Sequence, residues 1–224
     1  MDSSLQPIWL SFAKRLHAIA STGEHFTAHV YDRERYAEIG AIANEMLAKL
    51  ADTPVERIPE LFPAYGKGYA TPQVDVRGAV IRDRKILLVR EASDGRWTMP
   101  GGYAEVGLSL TQNVIKEIEE EAGIEARVVR LLGIRHKAAH AYKPDIRDFY
   151  KIFFLCECDR SALPQSGIET TEVGFFSPDS LPPLSTGRTI QKDIAVAMQA
   201  DLSPGFQVFS TETTRFCTEF QRAG

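Results

Sequence analysis

Cysteine is scarce in this chain: Cys156, Cys158 and Cys217 are the only three thiols in 224 residues. So few thiols exclude a scaffold built from disulfides. Cys156 and Cys158 stand two apart in the apolar run KIFFLCEC, where a strand would turn both to one side. A C-x-C with no second pair is a poor zinc signal, so buried, reduced thiols are expected. No apolar run approaches the length needed to span a bilayer, which argues against a membrane protein. The opening MDSSLQPIWLSF lacks the basic region and long apolar core of a signal peptide. Positive charge is not in excess either. Twenty-six Lys and Arg stand against 30 Asp and Glu, a formal net charge of -4, which gives no electrostatic reason to expect nucleic acid or an acidic membrane as partner. No Ser-His-Asp or Cys-His pattern marks a covalent nucleophile. Internal repeats and low-complexity stretches are missing as well. The expectation is a cytoplasmic protein, long enough to bury a full core in one large domain or a large and a small one.

What is present begins with helical periodicity. PIWLSFAKRLHAIA sets Trp9, Leu10, Phe12, Leu16 and Ile19 at roughly helical spacing, and RYAEIGAIANEMLAKLA repeats the theme with Ile39, Ile42, Ala43, Met46 and Leu50. STGEH reads as the turn between them, and VERIPELF as a short third helix before Pro63. These helices are too little for a good independent core. They should pack on the following domain, on a second copy of the chain, or on both, so a homodimer is expected. YGKGYATPQ then reads as a linker.

From Val74 the period changes. VDVRGAVIR and KILLVREA read as two strands joined by a tight turn at Asp83 and Arg84, and RWTM as a short third strand. A helix follows, then the strands ARVVRLLGIRH, DFYKIFFLCEC and EVGFFS, and TGRTIQKDIAVAMQA closes as a helix. Strand blocks interrupted by single helices predict an α/β (α+β) fold, a mixed sheet sandwiched between helices and preceded by a small helical domain. The expected division is 1–66 helical, 67–202 the main domain, and 203–224 an extension of unassigned role.

The first of these inner helices poses a problem. Ser109 and Gln112 form a capping box, and Gly123 ends the helix. Its last turns carry Glu117, Glu119, Glu120 and Glu121, where the helix dipole disfavours acids. Leu110, Val114, Ile118 and Ala122 fall on one apolar stripe, and Glu117, Glu120 and Glu121 share about a 100° arc beside it. Three carboxylates on one flank repel one another, and a divalent cation bound among them would reverse the sign. Oxygen ligands suit Mg²⁺ or Mn²⁺. The alternative is a solvated acidic face. Gly101 and Gly102, just before the helix, favour the metal: they allow close backbone approach and can turn a carbonyl toward the cluster.

The segment GYAEVGLSLTQNVIKEIEEEAGI resembles the Nudix box: a glycine, five residues, a glutamate, seven residues, then R-E-U-x-E-E-x-G-U with U apolar. Gly102 matches the opening glycine, and KEIEEEAGI matches the closing block through Glu117, Glu120, Glu121, Gly123 and Ile124. Leu108 stands where the pattern has its first glutamate, and Lys116 where it has arginine; lysine keeps the charge but lacks the planar fork. Glu105 is a candidate to replace the missing acid. The N-terminal helices, GYATPQVDVRGAV and LLVREASDGRWTMPGG resemble a branch of Nudix hydrolases with a helical N-terminal domain, similar to CDP-choline and ADP-ribose pyrophosphatases.

The resemblance implies a metal-dependent pyrophosphohydrolase cleaving a nucleoside diphosphate linked to a group X into nucleoside monophosphate and phospho-X. It implies Mg²⁺ or Mn²⁺ held by Glu117, Glu120 and Glu121 with the carbonyl of Gly101. It places the general base either on the helix, at Glu120, or in a later loop, at Glu169 with Glu172 next. Arg90 and Arg188 are candidate phosphate clamps, and Tyr103 and Trp97 candidates to stack on a base. His136 and His140 lack a third ligand and read as ordinary polar residues. Two further readings are a catalytically weak sensor of nucleotide sugars and a hydrolase of RNA ends; the acidic balance weighs against the latter.

Overall fold

The computed structural model describes residues 7–52, 54–58 and 69–202. The extension at 203–224, the first part of the expected linker (65–68) and the end of VERIPELF lie outside the described residues.

Two long helices come first, α1 (Ile8–Phe26) and α2 (Val30–Ala51), with a single 3₁₀ turn at Val55–Arg57. The expected turn at STGEH is instead the last part of α1. The chain reverses at Thr27, whose N–H donates to the Gly23 carbonyl at 2.9 Å. Gly23 serves packing rather than turning, because a Cβ there would overlap the ring of Tyr36 on α2. The helices meet through small residues: Ala13, Ala20, Ala43 and Ala48 are buried, with Leu10 and Leu47. The expected stripe of large residues is therefore only partly inward. Trp9, Phe12, Ile19, Ile42 and Leu50 remain exposed.

Leu10, Ala13, Leu47, Ala48 and Ile58 form one apolar cluster with Ile146 of the main domain. Lys14 reinforces the junction by donating to the Arg147 carbonyl at 2.8 Å and pairing with Asp148 at 2.9 Å. The helical segment thus rests on the domain that follows it.

That domain contains β1 (Gln73–Arg82), β2 (Lys85–Glu91), β3 (Trp97–Thr98), α3 (Leu110–Ala122), β4 (Ala126–His136), β5 (Phe149–Cys158), β6 (Thr170–Phe176) and α4 (Gln191–Leu202). The β1–β2 hairpin turns on Asp83 and Arg84, both at positive φ (51° and 60°), the geometry whose twist suits a two-residue hairpin loop. β1 pairs in parallel with β5 and β5 antiparallel with β4, while β2 pairs antiparallel with both β3 and β6. β1 and β2 stay paired only near their turn. Farther back, β1 pairs instead with the segment after β3: Gly78 N–H donates to the Pro100 carbonyl, Val76 N–H to Gly102 and Ala104 N–H to Val74, all at 2.9 Å.

Alternation along the strands sorts the core into two layers. Val76, Val80, Phe154 and Cys156 pack with Val114, Ile118 and Ala122 of α3. Ala79, Phe153 and Leu155 pack with Ile194 and Ala197 of α4. Each of the Val, Leu, Ile and Phe side chains among them contributes about 1.5–3 kcal/mol on burial. The mixed sheet thus lies between α3 and α4, as the order of elements predicts. Cys156 and Cys158 are free and turn to the α3 layer. No helix among the described residues is long and apolar enough to cross a membrane.

Candidate active site

Local chemistry fixes α3 before tertiary contacts do. Ser109 accepts from Gln112 N–H at 3.2 Å, and the Gln112 side chain accepts from Ser109 N–H at 2.8 Å, closing the capping box. Gly123 ends the helix in the left-handed region at φ 63°. Leu110, expected on the apolar stripe, is partly exposed. Asn113 is buried in its place and ties the preceding loop to the helix: its Oδ1 accepts from Glu105 N–H at 2.8 Å and its Nδ2 donates to the Leu108 and Ser109 carbonyls. The acidic end of the helix is completed by the loop before β6. Gln165 N–H donates to the Ala122 carbonyl and Thr170 Oγ1 to that of Glu121, both at 2.8 Å. The same loop brings in Glu169, whose carbonyl accepts from Ala92 N–H at 3.0 Å.

The acidic flank divides. Glu121 is buried, and its Oε2 accepts from Gly101 N–H at 2.9 Å. Gly101 has φ 142°, and a Cβ there would overlap the Val76 carbonyl oxygen, so the position admits only glycine. Glu117 lies against Gly102, where an added Cβ would stand 2.5 Å from Glu117 Oε1. Burial pushes the Glu121 carboxyl up to about 8, opposed by the Arg77 guanidinium. Burial likewise pushes Glu117 up to about 7, Arg77 again opposing and Glu120 adding to the rise. Glu120 turns the other way. It pairs with Lys116 at 2.9 Å, and Lys116 also pairs with Glu105 at 2.9 Å. Glu105 therefore does not replace the missing acid directly; it helps hold the lysine that holds Glu120. Gly101, Glu117 and Glu121 come together at one cavity, whereas Glu120 is more than half exposed outside its lining. Among the described residues, no three acidic, histidine or cysteine groups already close on one point as a finished metal cluster.

The cavity has a volume of 1190 Å³ and reaches from these acids to α1 and α2, which contribute Leu10, Leu50 and Ala51. Glu91, Asp94, Glu169 and Arg188 also line it. Glu91 is buried and raised by that burial, with Arg188 and Arg77 opposing. Arg188 pairs with Glu91 at 3.1 Å and Asp94 at 3.4 Å, so the expected clamp enters the site already held by two carboxylates. Arg90 does not join it. Its Nε donates to the Gly95 carbonyl at 2.8 Å and it pairs with Glu172 across the β2–β6 ladder, which takes both residues out of the cavity lining. Side-chain alternation along β2 is the reason: Arg90 and its neighbour Glu91 point to opposite faces. Tyr103 lines the cavity, half exposed, and stacks on Phe149 with centroids 5.8 Å apart. Trp97 packs on Phe176 instead. His136 pairs with Asp148, and His140 packs edge-on to Tyr142.

The cavity floor comes from β1 and β5. Asp75 and Lys151 are register partners, and Tyr103 bridges to Asp75 from the other side. Asp75 takes both prongs of Arg77 at 2.9 Å and Lys151 Nζ at 2.7 Å. Burial alone would raise the Asp75 carboxyl, but Arg77 and Lys151 overcome it and hold it at about 2. Arg77 also donates to the Met99 carbonyl at 3.1 Å. It thereby places a fixed cation within electrostatic range of Glu121 and Glu91. None of Asp75, Arg77, Lys151 and Glu91 stands out in the sequence, because each sits in a strand whose apolar neighbours dominate the pattern. A charge in every second position of VDVRG was the available signal.

The donor chemistry fits a divalent cation. Glu117 and Glu121 are oxygen donors that burial drives toward the protonated state, and a hard cation beside them restores the charged form. Glu120 has one oxygen, Oε2, engaged by Lys116 at 2.9 Å, so a place among them competes with that pair.

Comparison with known proteins identifies the family. Residues 72–196 match the NUDIX domain family, and residues 7–62 match a family described as a UDP-X-like, N-terminal oligomerisation domain. A Bacillus subtilis protein provisionally named ADP-ribose pyrophosphatase YjhB is 43% identical over 192 residues, 86% of this chain and 91% of that one. The crystal structure of a UDP-X diphosphatase is 34% identical with a TM-score of 0.58, covering 90% of this chain and 97% of that chain. That of an ADP-ribose pyrophosphatase from Streptococcus suis is 37% identical with a TM-score of 0.55, covering 62% and 98%.

Proposed function

Because the chain belongs to the Nudix family and is a Nudix hydrolase, we propose that it cleaves nucleoside diphosphates linked to a second group X, of the ADP-ribose or UDP-X type, with Mg²⁺ or Mn²⁺. Products are the nucleoside monophosphate and phospho-X. One observation carries this reading. Glu117 and Glu121, raised by burial to about 7 and 8, face a 1190 Å³ cavity beside Gly101 and Gly102. The names of the B. subtilis, S. suis and UDP-X relatives support the substrate class.

Glu117 and Glu121 would hold the ion, with Glu120 released from Lys116 and the Gly101 carbonyl as further ligands. Once bound, the ion supplies charge neutralisation on the phosphoryl oxygens and acidifies a water. Glu169 is our first candidate to take the proton of that water at its carboxylate, since it lines the cavity and Glu172 does not. Glu120 is the second candidate. Arg188, held by Glu91 and Asp94 at the cavity lining, would offer its guanidinium to the diphosphate, and Tyr103, on the same lining, would offer an aromatic face to the base. Leu10, Leu50 and Ala51 give the end of the cavity near α1 and α2 an apolar lining. The exposed Trp9, Phe12 and Ile19, with the family match over 7–62, support a homodimer through the helical segment. Sedimentation as a monomer at micromolar concentration would refute the dimer.

The test is a substrate panel with either metal: ADP-ribose, UDP-sugars, CDP-choline, dinucleoside polyphosphates and capped RNA ends. Release of a nucleoside monophosphate from the first two, abolished by Glu121→Gln, is expected. Binding without release would make the protein a sensor, and release from RNA ends alone would replace the substrate class.

A further inference from the structure

The cavity carries two unlike charge patterns. Glu91, Glu117, Glu121 and Glu169 make one region acidic. Elsewhere two carboxylates are each shared by two cations: Asp75 by Arg77 and Lys151, Asp145 by Lys137 and Arg147. Each of these clusters keeps one positive charge beyond its acid, and exposed Lys143 adds another at the same lining.

The two clusters are neighbours. Lys137 Nζ and the Arg147 guanidinium stand 4.8 and 5.1 Å from the centroid of Phe149, two residues from Lys151 on β5. Lys137 lies within electrostatic reach of both Asp145 and Asp75. Lys151 is the unusual member. It is 2% exposed yet contributes to the cavity lining, and its ammonium has three N–H donors, of which Asp75 Oδ1 takes one at 2.7 Å. Tyr142 faces it with a ring 5.5 Å away rather than an acceptor. Burial pulls the Lys151 ammonium down to about 8. A buried cation with spare donors, inside a group that carries surplus positive charge, suits an anion with several acceptor oxygens.

We propose that Lys151, with Lys137 and Arg147, forms a phosphoryl-receiving floor separate from the acids that would hold the metal. The inference rests on the diphosphate reading above and extends it: the substrate is gripped from two sides, by the ion and by this floor. Two sources could supply the phosphoryl group, the second phosphate of the diphosphate itself or a phosphate monoester carried by X.

The floor is tested without metal or turnover. Inorganic phosphate is titrated calorimetrically into full-length protein held in chelator, comparing wild type with Lys151→Met and, as a partly exposed variant sure to keep the core, Arg147→Gln. Wild type should bind, and each variant should bind at least about tenfold more weakly, the size of one lost charge-assisted hydrogen bond. Unchanged phosphate binding in both folded variants, or none by the wild type, overturns the proposal. With metal present, KM is then compared on a substrate with neutral X and one whose X bears a phosphate monoester. A rise in both for Arg147→Gln assigns the floor to the diphosphate, a rise in the second alone assigns it to X, and no rise in either overturns it. Phosphate binding that persists while no diphosphate is hydrolysed would instead sink the enzymatic reading and leave the floor standing.

Discussion

The Gly101 amide donates to Glu121 Oε2 at 2.9 Å, joining the turn before α3 to the last turn of that helix. The bond holds one carboxylate at the cavity, and it depends on backbone that no other residue can adopt: φ is 142°, and an added Cβ would meet Val76 carbonyl oxygen and stand 2.9 Å from Arg77 Cα. Gly101→Ala should therefore cost at least about 3 kcal/mol, combining backbone strain with overpacking. Urea unfolding of the metal-free protein checks the stability, and hydrolysis should fall with it.

The raised carboxyls predict an inverted pH response. Glu121 and Glu117 stand at about 8 and 7 when folded, above the value of 4.5 for an unperturbed glutamate. The folded chain therefore binds more protons than the unfolded chain between those values, so their contribution to stability is full below pH 4.5 and is lost as pH rises through 7 to 8. In chelator, the Tm should fall across that window, and Glu121→Gln should flatten the fall. Added Mn²⁺ should reverse the trend, since binding then gains from deprotonation.

Glu169 and Glu172 separate by placement. Glu169 lines the cavity, while Glu172 is paired with Arg90 outside it. Glu169→Gln should lower kcat by about 10²-fold or more while leaving Mn²⁺ affinity in place. Glu172→Gln and Arg90→Gln should change kcat/KM by less than about twofold, as expected of an exposed ion pair. Steady-state kinetics on all three variants decides it.

Arg77 is buried against Asp75 with every prong engaged. Arg77→Met leaves Asp75 with Lys151 alone and should cost about 3–5 kcal/mol, the range for breaking a buried pair from one side. Denaturant unfolding measures it. Adding Asp75→Leu should deepen the loss, because Lys151, held by Asp75 at 2.7 Å, is then the buried charge left without its partner.

The legible part of the sequence was periodic. Strand alternation, the Asp83–Arg84 turn and the capping box at Ser109 each rest on a few adjacent residues, and the structure contains them all. The spacing from Gly102 to Ile124 likewise carries the acidic helix and the glycine turn. What depends on direction was not legible. The helical arc groups Glu117, Glu120 and Glu121, but Lys116, one turn before Glu120, draws that carboxylate outward to Glu105. The composition of LLVR marks Arg90 as available for phosphate, while strand pairing commits it to Glu172. Gly23 reads as a turn because a glycine chosen for contact with an aromatic ring looks the same in sequence. The floor of Asp75, Arg77 and Lys151 joins strands 76 positions apart, a relationship no local pattern encodes.

The most direct test is a Mn²⁺ titration of the wild type, Glu117→Gln and Glu121→Gln, followed by electron paramagnetic resonance of the free ion at pH 7.5. The account predicts saturable binding by the wild type, with each single substitution weakening it about tenfold or more. Wild-type protein that leaves all the manganese free, or variants that bind it as tightly as the wild type, would contradict the claim that these two carboxylates hold a divalent ion.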